Sequence, residues 1–186
     1  MAVVQGERVM RADARRNRER ILAAAHEAFS EEGAGVQIED IARRAGLGVG
    51  TLYRHFPTKE ALIRELGRHL AASCATDAAT ALEMDDPWES IAWLVHRNAQ
   101  GMARDAGLRE TFASVRLKDD CPFEAAHLEG GIAALLERAQ EAGAVRGDLT
   151  VDDFQALMSG LSATIERGVD PVRYADLLLD TLRSRP

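Results

Sequence analysis

The chain has 186 residues, enough for one domain or two small ones with a buried core. Its two cysteines, Cys74 and Cys121, have neither metal-binding nor redox spacing, and we interpret both as reduced thiols of a cytoplasmic protein. No apolar run reaches the roughly 18 residues of a membrane span, and no signal-peptide pattern opens the sequence, so we expect neither membrane insertion nor secretion. Five prolines and the lack of alternating strand-like runs predict an all-α protein, and the patterns along the chain predict nine helices.

The formal net charge of −7 is divided unevenly along the chain. Residues 1–68 carry 12 Lys+Arg against 10 Asp+Glu, a net charge of +2, whereas the remaining 118 residues carry 11 against 20, a net charge of −9. A cationic N-terminal part joined to an anionic remainder is typical of a protein that meets nucleic acid at one end. Ordinary solvation of exposed helix faces is the alternative explanation.

The N-terminal segment is rich in arginine. We expect Met1 to Met10 to form a disordered arm and the first helix to run from about Asp13 to Glu32. Five arginines lie between positions 11 and 20, and those near the helix start, Arg16 among them, would add salt-dependent affinity for DNA phosphates without reading sequence. For any single arginine, a solvated helix end is an equally good explanation.

Two short helices joined by a glycine turn are predicted next. Gly46 stands where a helix C-cap needs a positive φ angle, and Leu47 would fill the angle between the two helices. The apolar residues of the first of these helices recur at i, i+3, i+4 and i+7, the pattern of one buried face. They are Ile38, Ile41, Ala42 and Ala45.

The second short helix is predicted over Val49 to Phe56, with Leu52 and Phe56 facing inward at i, i+4. At about 1.5 Å rise per residue it is roughly 12 Å long, which fits the DNA major groove. The pattern predicts a helix-turn-helix whose second helix reads DNA. The residues expected to point away from the core are Val49, Gly50, Thr51, Tyr53 and His55.

The fourth helix is predicted to start after the N-cap Thr58 and to reach about Met84. Lys59 lies in its first turn, where a cation opposes the helix dipole. A phosphate at that point would be held by both the free amides and the ammonium. The sequence therefore predicts a phosphate contact at Lys59.

Five more helices are predicted after residue 84. Asp86 and Pro87 give a strong start signal, and the helix that follows is expected to end near Asp105. The others are predicted around Leu108, Phe112 and Val115, after Cys121, after Thr150 with Asp153, and after Asp170. The pair Gly130-Gly131 would allow either close helix packing or room for a ligand, and the sequence does not choose between them.

The run IEDIARRAGLGVGTLYRHFPTKEAL, together with the preceding AFSEEG, resembles the N-terminal signature of TetR-type transcriptional regulators. The resemblance covers residues 14–66 closely and the remainder only by helix number and length. It implies a nine-helix protomer that dimerises through its last two helices and binds a small ligand in its C-terminal body. On this basis we expect a helix-turn-helix DNA-binding domain with an N-terminal arm over 1–57 and a ligand-binding and dimerisation domain over 58–186.

The resemblance also implies roles for particular side chains. Thr51, Tyr53 and His55 fall on positions that face DNA, Lys59 falls on one that meets phosphate, and Gly50 would let the helix approach the duplex closely. A partly packed aromatic is the alternative for Tyr53, and plain surface is the alternative for His55.

Other positions flank this set. Arg43 and Arg44, near the end of the first short helix, would lie beside the DNA backbone. Gln37 and Gly48 stand where the family often has a hydroxyl residue, so we expect the capping and DNA contacts there to differ from those usual in the family. The complete predicted DNA-binding set is Arg16, Gln37, Arg43, Arg44, Gly48, Val49, Gly50, Thr51, Tyr53, Arg54, His55 and Lys59.

A pocket for a small-molecule effector is predicted among the fifth to eighth helices, where apolar walls meet a few polar groups. Core packing or ordinary exposure is at least as good an explanation for each candidate. The candidates are Trp93, His96, Gln100, Met102, Phe112, Arg116, His127 and Phe154. The sequence has no nucleophile elbow, metal-spaced ligand set or phosphate-cradling loop, so we expect no enzyme activity, cofactor or metal.

The broad apolar faces of the last two helices predict a four-helix bundle formed with a second copy of the chain. Internal core is the alternative role for these faces. The residues expected at the interface are Phe154, Leu157, Leu161, Ile165, Tyr174, Leu178 and Leu182. Such a dimer would set two reading helices about 34–36 Å apart, matching the half-sites of a palindromic double-stranded DNA operator.

The expected function is that of a cytoplasmic, homodimeric, sequence-specific transcriptional regulator. We expect a repressor that leaves its operator when an unidentified small-molecule effector binds. The alternatives are a helical protein-binding adaptor, and a TetR-like activator or ligand-independent regulator. An adaptor would leave the cationic outward face of the first and third helices unexplained.

Overall fold

The computed structural model describes residues 2–105, 107, 108, 111, 117–165 and 167–184, with side chains described from residue 12 onward except at 117 and 118. The described residues form α-helices, one 3-10 turn over Gly33–Gly35 and no β-strand, so the predicted all-α class is confirmed. The helices are α1 (Ala2–Glu32), α2 (Ile38–Arg44), α3 (Val49–His55), α4 (Lys59–Leu82), α5 (Pro87–Arg104), α6 (Leu117–Asp120), α7 (Pro122–Glu141), α8 (Val151–Ile165) and α9 (Pro171–Leu182).

Two parts of the predicted helix order need correction. Helix α1 begins at Ala2, so the expected disordered arm is wrong from that residue on. No proline lies between Ala2 and Glu32, and adding residues to a helix that is already nucleated costs little. The short helix α6 was not predicted. Another helix was predicted just before α6, around Leu108, Phe112 and Val115. Leu108 is helical, whereas Phe112 and Val115 lie outside the described residues.

Side-chain caps form at the predicted starts of α5 and α8. The carboxylate of Asp86 accepts hydrogen bonds from the amides of Trp88 at 2.8 Å and Glu89 at 3.0 Å. At the start of α8, the hydroxyl of Thr150 accepts from the amide of Asp153 at 3.1 Å, and the carboxylate of Asp153 accepts from the amide of Thr150 at 3.0 Å. These bonds satisfy amides that the helix itself leaves without partners.

The chain divides into two compact units, and the division falls within α4. The first unit comprises the described residues up to Leu66 together with Gly107, Leu108 and Thr111. Its core is built from α1, α2, α3 and the start of α4, with Phe29, Ile41 and Leu52 completely buried. The backbone of Gly107 lies so close to the end of α1 that a Cβ there would be 2.4 Å from the carbonyl oxygen of Phe29.

The second unit comprises the described residues from Gly67 to Asp105 and from Leu117 onward. Its core is formed mainly by α5, α7, α8 and α9. The guanidinium of Arg138 donates to the carbonyl oxygen of Leu82 at 2.7 Å and to the hydroxyl of Ser90 at 2.9 Å, which ties the end of α4 to α5 and α7. No helix among the described residues is long and apolar enough to cross a membrane.

The two neighbouring glycines of α7 have different surroundings. A Cβ added to Gly131 would lie 3.2 Å from the Cβ of Ala78 on α4, whereas one added to Gly130 would meet nothing within 4 Å. Gly131 therefore allows α4 and α7 to pack closely. Gly130 lies on the exposed side of α7, where a glycine only weakens the helix.

The substitution Gly130→Ala is expected to raise the free energy of unfolding by about 1 kcal/mol, because alanine favours an exposed helix interior over glycine. The same change at Gly131 is expected to gain less, because Ala78 must move to make room for the new methyl group. Urea unfolding of both variants, followed by circular dichroism, measures the difference. Equal gains at the two positions would contradict the close packing of α4 on α7.

Candidate nucleic-acid interface and effector cavity

The turn between α2 and α3 is closed by backbone hydrogen bonds around Gly46. Its φ angle is +65°, and a Cβ there would lie 2.7 Å from Nη2 of Arg20. The amide of Gly46 donates to the carbonyl of Arg43 at 3.0 Å, and the amide of Leu47 donates to the carbonyl of Ala42 at 2.9 Å. This pair of bonds is the Schellman motif, which satisfies the last carbonyls of α2 and fixes the direction in which the chain enters α3.

Helix α3 has an inner face formed by residues at i, i+3 and i+7. Leu52 and Phe56 are 0% and 2% exposed, as predicted for core residues. Val49 was expected to point away from the core, but it is partly buried and packs against the same cluster. The reason is its spacing, since three residues before Leu52 is the same side of a helix.

The outer face of α3 has two exposed glycines at its start and two exposed side chains further along. Gly48 and Gly50 are exposed, and a Cβ at either would meet nothing within 4 Å, so no atom of the described protein requires glycine there. Tyr53 is 44% exposed, and Arg54 is exposed as well. Thr51 and His55, which were predicted with them, are half-buried at the edge of this face.

Lys59 lies at the start of α4 and bonds back to the turn that follows α1. Its ammonium donates to the carbonyl oxygens of Ala34 at 2.6 Å and Val36 at 2.7 Å, and it lies 5.7 Å from the ring centroid of Phe29. These acceptors offset the unfavourable position of a cation at a helix N-terminus. They also join the two ends of the segment that contains α2 and α3.

Two of the arginines predicted to contact the DNA backbone form local ion pairs within the protein. Arg16 pairs with Asp13 and Arg43 with Asp40, in both cases on an exposed surface one helical turn away.

Gln37 is exposed, and its side-chain amide donates to the carbonyl of Gly35 at 2.9 Å. It makes no side-chain cap for α2.

Arg44 differs from these because its guanidinium is held by two carboxylates of α1. It contacts Glu31 at 2.6 Å and also Glu32, and its side chain is 30% exposed. The hydrogen bond with Glu31 raises the pKa of Arg44 above its ordinary value. These ion pairs hold α2 against the end of α1, and the expected place of Arg44 beside the DNA backbone stays a prediction.

Arg18 was not singled out from the sequence. Its guanidinium contacts the carboxylate of Glu65 at 2.9 Å and lies 4.6 Å above the ring centroid of Phe56. It thus links α1, the residue after α3, and α4. The signal was hidden because Arg18 lies in a run of arginines whose other described side chains, those of Arg15, Arg16 and Arg20, are exposed.

The second unit contains a cavity of about 370 Å³ between α4, α5, α7 and α8. Its walls are mainly apolar, with a few polar side chains. The lining residues are Cys74, Leu94, Asn98, Met102, Ala125, Leu128, Glu129, Ile132, Phe154, Gln155, Met158 and Ser159. This volume lies at the lower end of the range in which proteins hold small organic ligands.

Two of the predicted ligand residues, Met102 and Phe154, line this cavity. On α5 the lining residues Leu94, Asn98 and Met102 follow an i, i+4, i+8 spacing. The predicted Trp93 and Gln100 lie on other faces of the same helix, where Trp93 packs against the core and Gln100 is exposed.

The predicted histidines are engaged elsewhere. Nε2 of His96 lies 3.1 Å from a carboxylate oxygen of Asp176 on α9. The exposed ring of His127 stacks on that of Phe123, with centroids 6.5 Å apart and planes inclined by 5°. Phe112 and Arg116, the remaining predicted residues, lie outside the described residues.

Asn98 is the polar residue at the centre of the α5 wall. Its amide nitrogen donates to the carbonyl of Leu94 at 2.8 Å, and its amide oxygen lies 3.7 Å from the thiol of Cys74. Burial raises the pKa of the Cys74 thiol to about 11, so the group is neutral at physiological pH. An asparagine in an otherwise apolar stripe was a signal for this site that the sequence prediction missed.

Comparison with known proteins identifies the family. The model for bacterial regulatory proteins of the tetR family matches residues 21–66, and that for the SbtR-like transcriptional regulator C-terminal domain matches residues 86–184. The crystal structure of a TetR transcription regulatory protein from Mycobacterium vanbaalenii is 35% identical, covers 94% of this chain and 99% of that chain, and has a TM-score of 0.71. The chain belongs to the TetR family.

Other relatives agree with this assignment. A TetR transcriptional regulator from Streptomyces coelicolor is 33% identical over 91% of this chain and 99% of that chain, with a TM-score of 0.69. An HTH-type transcriptional regulator of Staphylococcus aureus (strain USA300) is 50% identical over 54 residues, which are 28% of this chain and 29% of the relative. The chain thus aligns with less than a third of that curated relative. TetR-family proteins are DNA-binding regulators and not enzymes.

The residues predicted for a TetR-type dimer interface are mostly enclosed by their own protomer. Phe154, Leu161, Leu178 and Leu182 are at most 5% exposed, so these four belong to the internal core, and their assignment to an interface is corrected. The physical reason is that the apolar stripes of α8 and α9 cover α5 and each other. Three others are partly buried against the same core: Leu157, Ile165 and Tyr174.

The substitution Lys59→Met is expected to lower the free energy of unfolding of this TetR-family chain by about 1–3 kcal/mol, because it removes two charge-assisted hydrogen bonds and leaves two carbonyls unsatisfied. Urea unfolding followed by circular dichroism measures the loss. Arg54→Met is the control, since it removes a cation of similar length from an exposed position of α3 and is expected to change stability little. Equal losses in the two variants would contradict a structural role for Lys59.

Proposed function

We propose that this TetR-family chain is a cytoplasmic transcriptional repressor that binds a palindromic operator as a homodimer and releases it when a small molecule binds. The single observation that carries the DNA-binding role is the outer face of α3, where Gly50 and Tyr53 are exposed on a helix fixed by the Gly46 turn. Within this proposal residues 1–57 read DNA, and residues 58–186 hold the effector and the partner protomer.

The proposed contacts with base edges come from three side chains of α3. The phenol of Tyr53 is the most exposed of the three, whereas Thr51 and His55 are half-buried. All three can donate and accept hydrogen bonds, which is what readout in the major groove requires. Gly50 is exposed and has no side chain, so that the helix backbone can approach the duplex at this point.

The proposed phosphate contacts position the reading helix without selecting sequence. Arg16, Arg43 and Arg54 are exposed, and the ion pairs of the first two are local surface pairs that exchange readily for phosphates. Lys59 uses two of its three N–H donors on Ala34 and Val36, which leaves one for a phosphate. Gln37 and Gly48 are exposed at the starts of α2 and α3.

Dimerisation is proposed through the outer faces of α8 and α9. Val172 and Leu177 of α9 are 44% and 54% exposed, and Val169, just before this helix, is 38% exposed. Exposed apolar residues on neighbouring turns are a feature of surfaces that bind another chain. A two-fold arrangement of these faces would present two copies of α3 to a palindromic site.

The proposed release mechanism requires two states of the dimer. An effector in the cavity shifts the equilibrium only if it binds the form with mismatched α3 spacing more tightly than the DNA-bound form. Helix α4 begins at Lys59 in the first unit and contributes Cys74 to the cavity wall. Movement of this helix would therefore affect both the DNA-binding residues and the cavity.

Tyr53→Ala is expected to weaken operator binding by about tenfold or more, because it removes a proposed base contact. Gly50→Ala is expected to weaken it as well while leaving the fold intact, since the added methyl group meets no protein atom but would meet DNA. Affinity is measured by gel-shift titration on the segment that the protein footprints in the DNA upstream of its own gene.

Gly130→Ala is the control for this experiment, because it adds the same methyl group to an exposed helical glycine far from α3 in the sequence. Its operator affinity should equal that of the wild type. The wild-type complex should also weaken steeply with salt, since each phosphate neutralised adds about 0.9 to the slope of log K against log salt concentration. Unchanged affinity in both α3 variants, or a flat salt response, would contradict the proposed interface.

Leu177→Glu is expected to shift the protein from dimer to monomer, because it places a charge within the proposed apolar interface. Sedimentation velocity measures the shift. Ala133→Glu, on the exposed side of α7, is the control and should leave the assembly unchanged. A dimer that persists in Leu177→Glu with wild-type affinity would place the interface elsewhere.

A further inference from the structure

The chemical character of the cavity limits what the effector can be. Among its described lining residues there is no lysine, arginine or histidine, and seven of the twelve are Leu, Met, Ala, Ile or Phe. An anion that entered would therefore lose its water without meeting a described positive charge. Burying a charge in this way is far more costly than burying an apolar or neutral polar group.

The polar groups of the cavity are mostly uncharged. Asn98 uses one N–H on the carbonyl of Leu94, which leaves its second N–H and part of its oxygen for a ligand. Gln155 supplies a second side-chain amide, Ser159 supplies a hydroxyl, and the neutral thiol of Cys74 lies beside Asn98. Glu129 is the one carboxylate among the described lining residues, and it already interacts with another residue of the chain.

We infer that the effector is an uncharged, mainly apolar molecule with a single hydrogen-bonding oxygen group, such as a hydroxyl or carbonyl, held by Asn98. The inference rests on the proposed function, in which a small molecule occupies this cavity. Two methionines, Met102 and Met158, line the walls, and their flexible thioethers adapt to ligands of different outline. The cavity therefore selects for charge and polarity more than for one fixed shape.

Three probes of nearly equal size test the charge preference: 2-(2-naphthyl)ethanol, 2-(2-naphthyl)ethylamine and the carboxylate 2-(2-naphthyl)acetate. Isothermal titration calorimetry on the full chain is expected to give at least about tenfold tighter binding for the alcohol than for the ammonium or the carboxylate. Tighter or equal binding of either charged probe at the cavity would overturn the inference. So would the failure of all three to bind.

Two substitutions at Asn98 locate the polar contact. Asn98→Leu keeps the approximate size of the side chain and is expected to remove the preference for 2-(2-naphthyl)ethanol over 2-ethylnaphthalene. Asn98→Asp is expected to shift the preference toward 2-(2-naphthyl)ethylamine, because a carboxylate then stands where the amide was. Unchanged preferences in both variants would overturn the role of Asn98.

A cavity-filling variant separates this inference from the proposed function. Ala125→Phe places a ring in the cavity and is expected to weaken binding of the alcohol by about tenfold or more. Met158→Trp is the second such variant, in case the buried position of Ala125 does not tolerate the ring. If folded variants bind the probes as the wild type does, the cavity is not the effector site, and the ligand-responsive part of the proposed function fails. If filling abolishes binding but a charged probe binds best, only the inferred ligand class fails.

Discussion

The first unit, which contains the helix-turn-helix, depends on the hydrogen bonds from the ammonium of Lys59 to the carbonyls of Ala34 and Val36. They connect the 3-10 turn that follows α1 to the beginning of α4. Both ends of the segment that contains α2 and α3 are therefore fixed. Inside that segment the Gly46 turn sets the angle between the two helices, and Leu52 and Phe56 fix the rotation of α3. The exposed face of α3 is therefore held by three independent constraints.

The features that the sequence predicted well are those decided by local chemistry. Asp86, Thr150 and Asp153 cap helices because a short side chain can reach amides only two or three residues away. Gly46 adopts a positive φ because few other residues do so at low cost. The inward positions Leu52 and Phe56 follow from the helical period alone.

The features that the sequence did not predict depend on partners far away in the chain. The role of Arg44 is set by carboxylates of α1, and that of His96 by Asp176 on α9. The apolar stripes of α8 and α9 have the same pattern whether they cover their own core or another protomer. The sequence alone therefore could not predict that Leu161 is buried within its own protomer. The cavity residues were missed for a similar reason, since adjacent faces of α5 are all partly apolar.

In the proposed function, the neutral thiol of Cys74 limits the chemistry that a molecule in the cavity can undergo. With a pKa of about 11, only about one molecule in ten thousand carries the reactive thiolate at pH 7. A thiolate, rather than a neutral thiol, attacks electrophiles and peroxides, so a molecule in the cavity would react only slowly with Cys74. Occupancy of the site would then follow the free concentration of the molecule from moment to moment, and the protein would need no reductase or turnover to reset it.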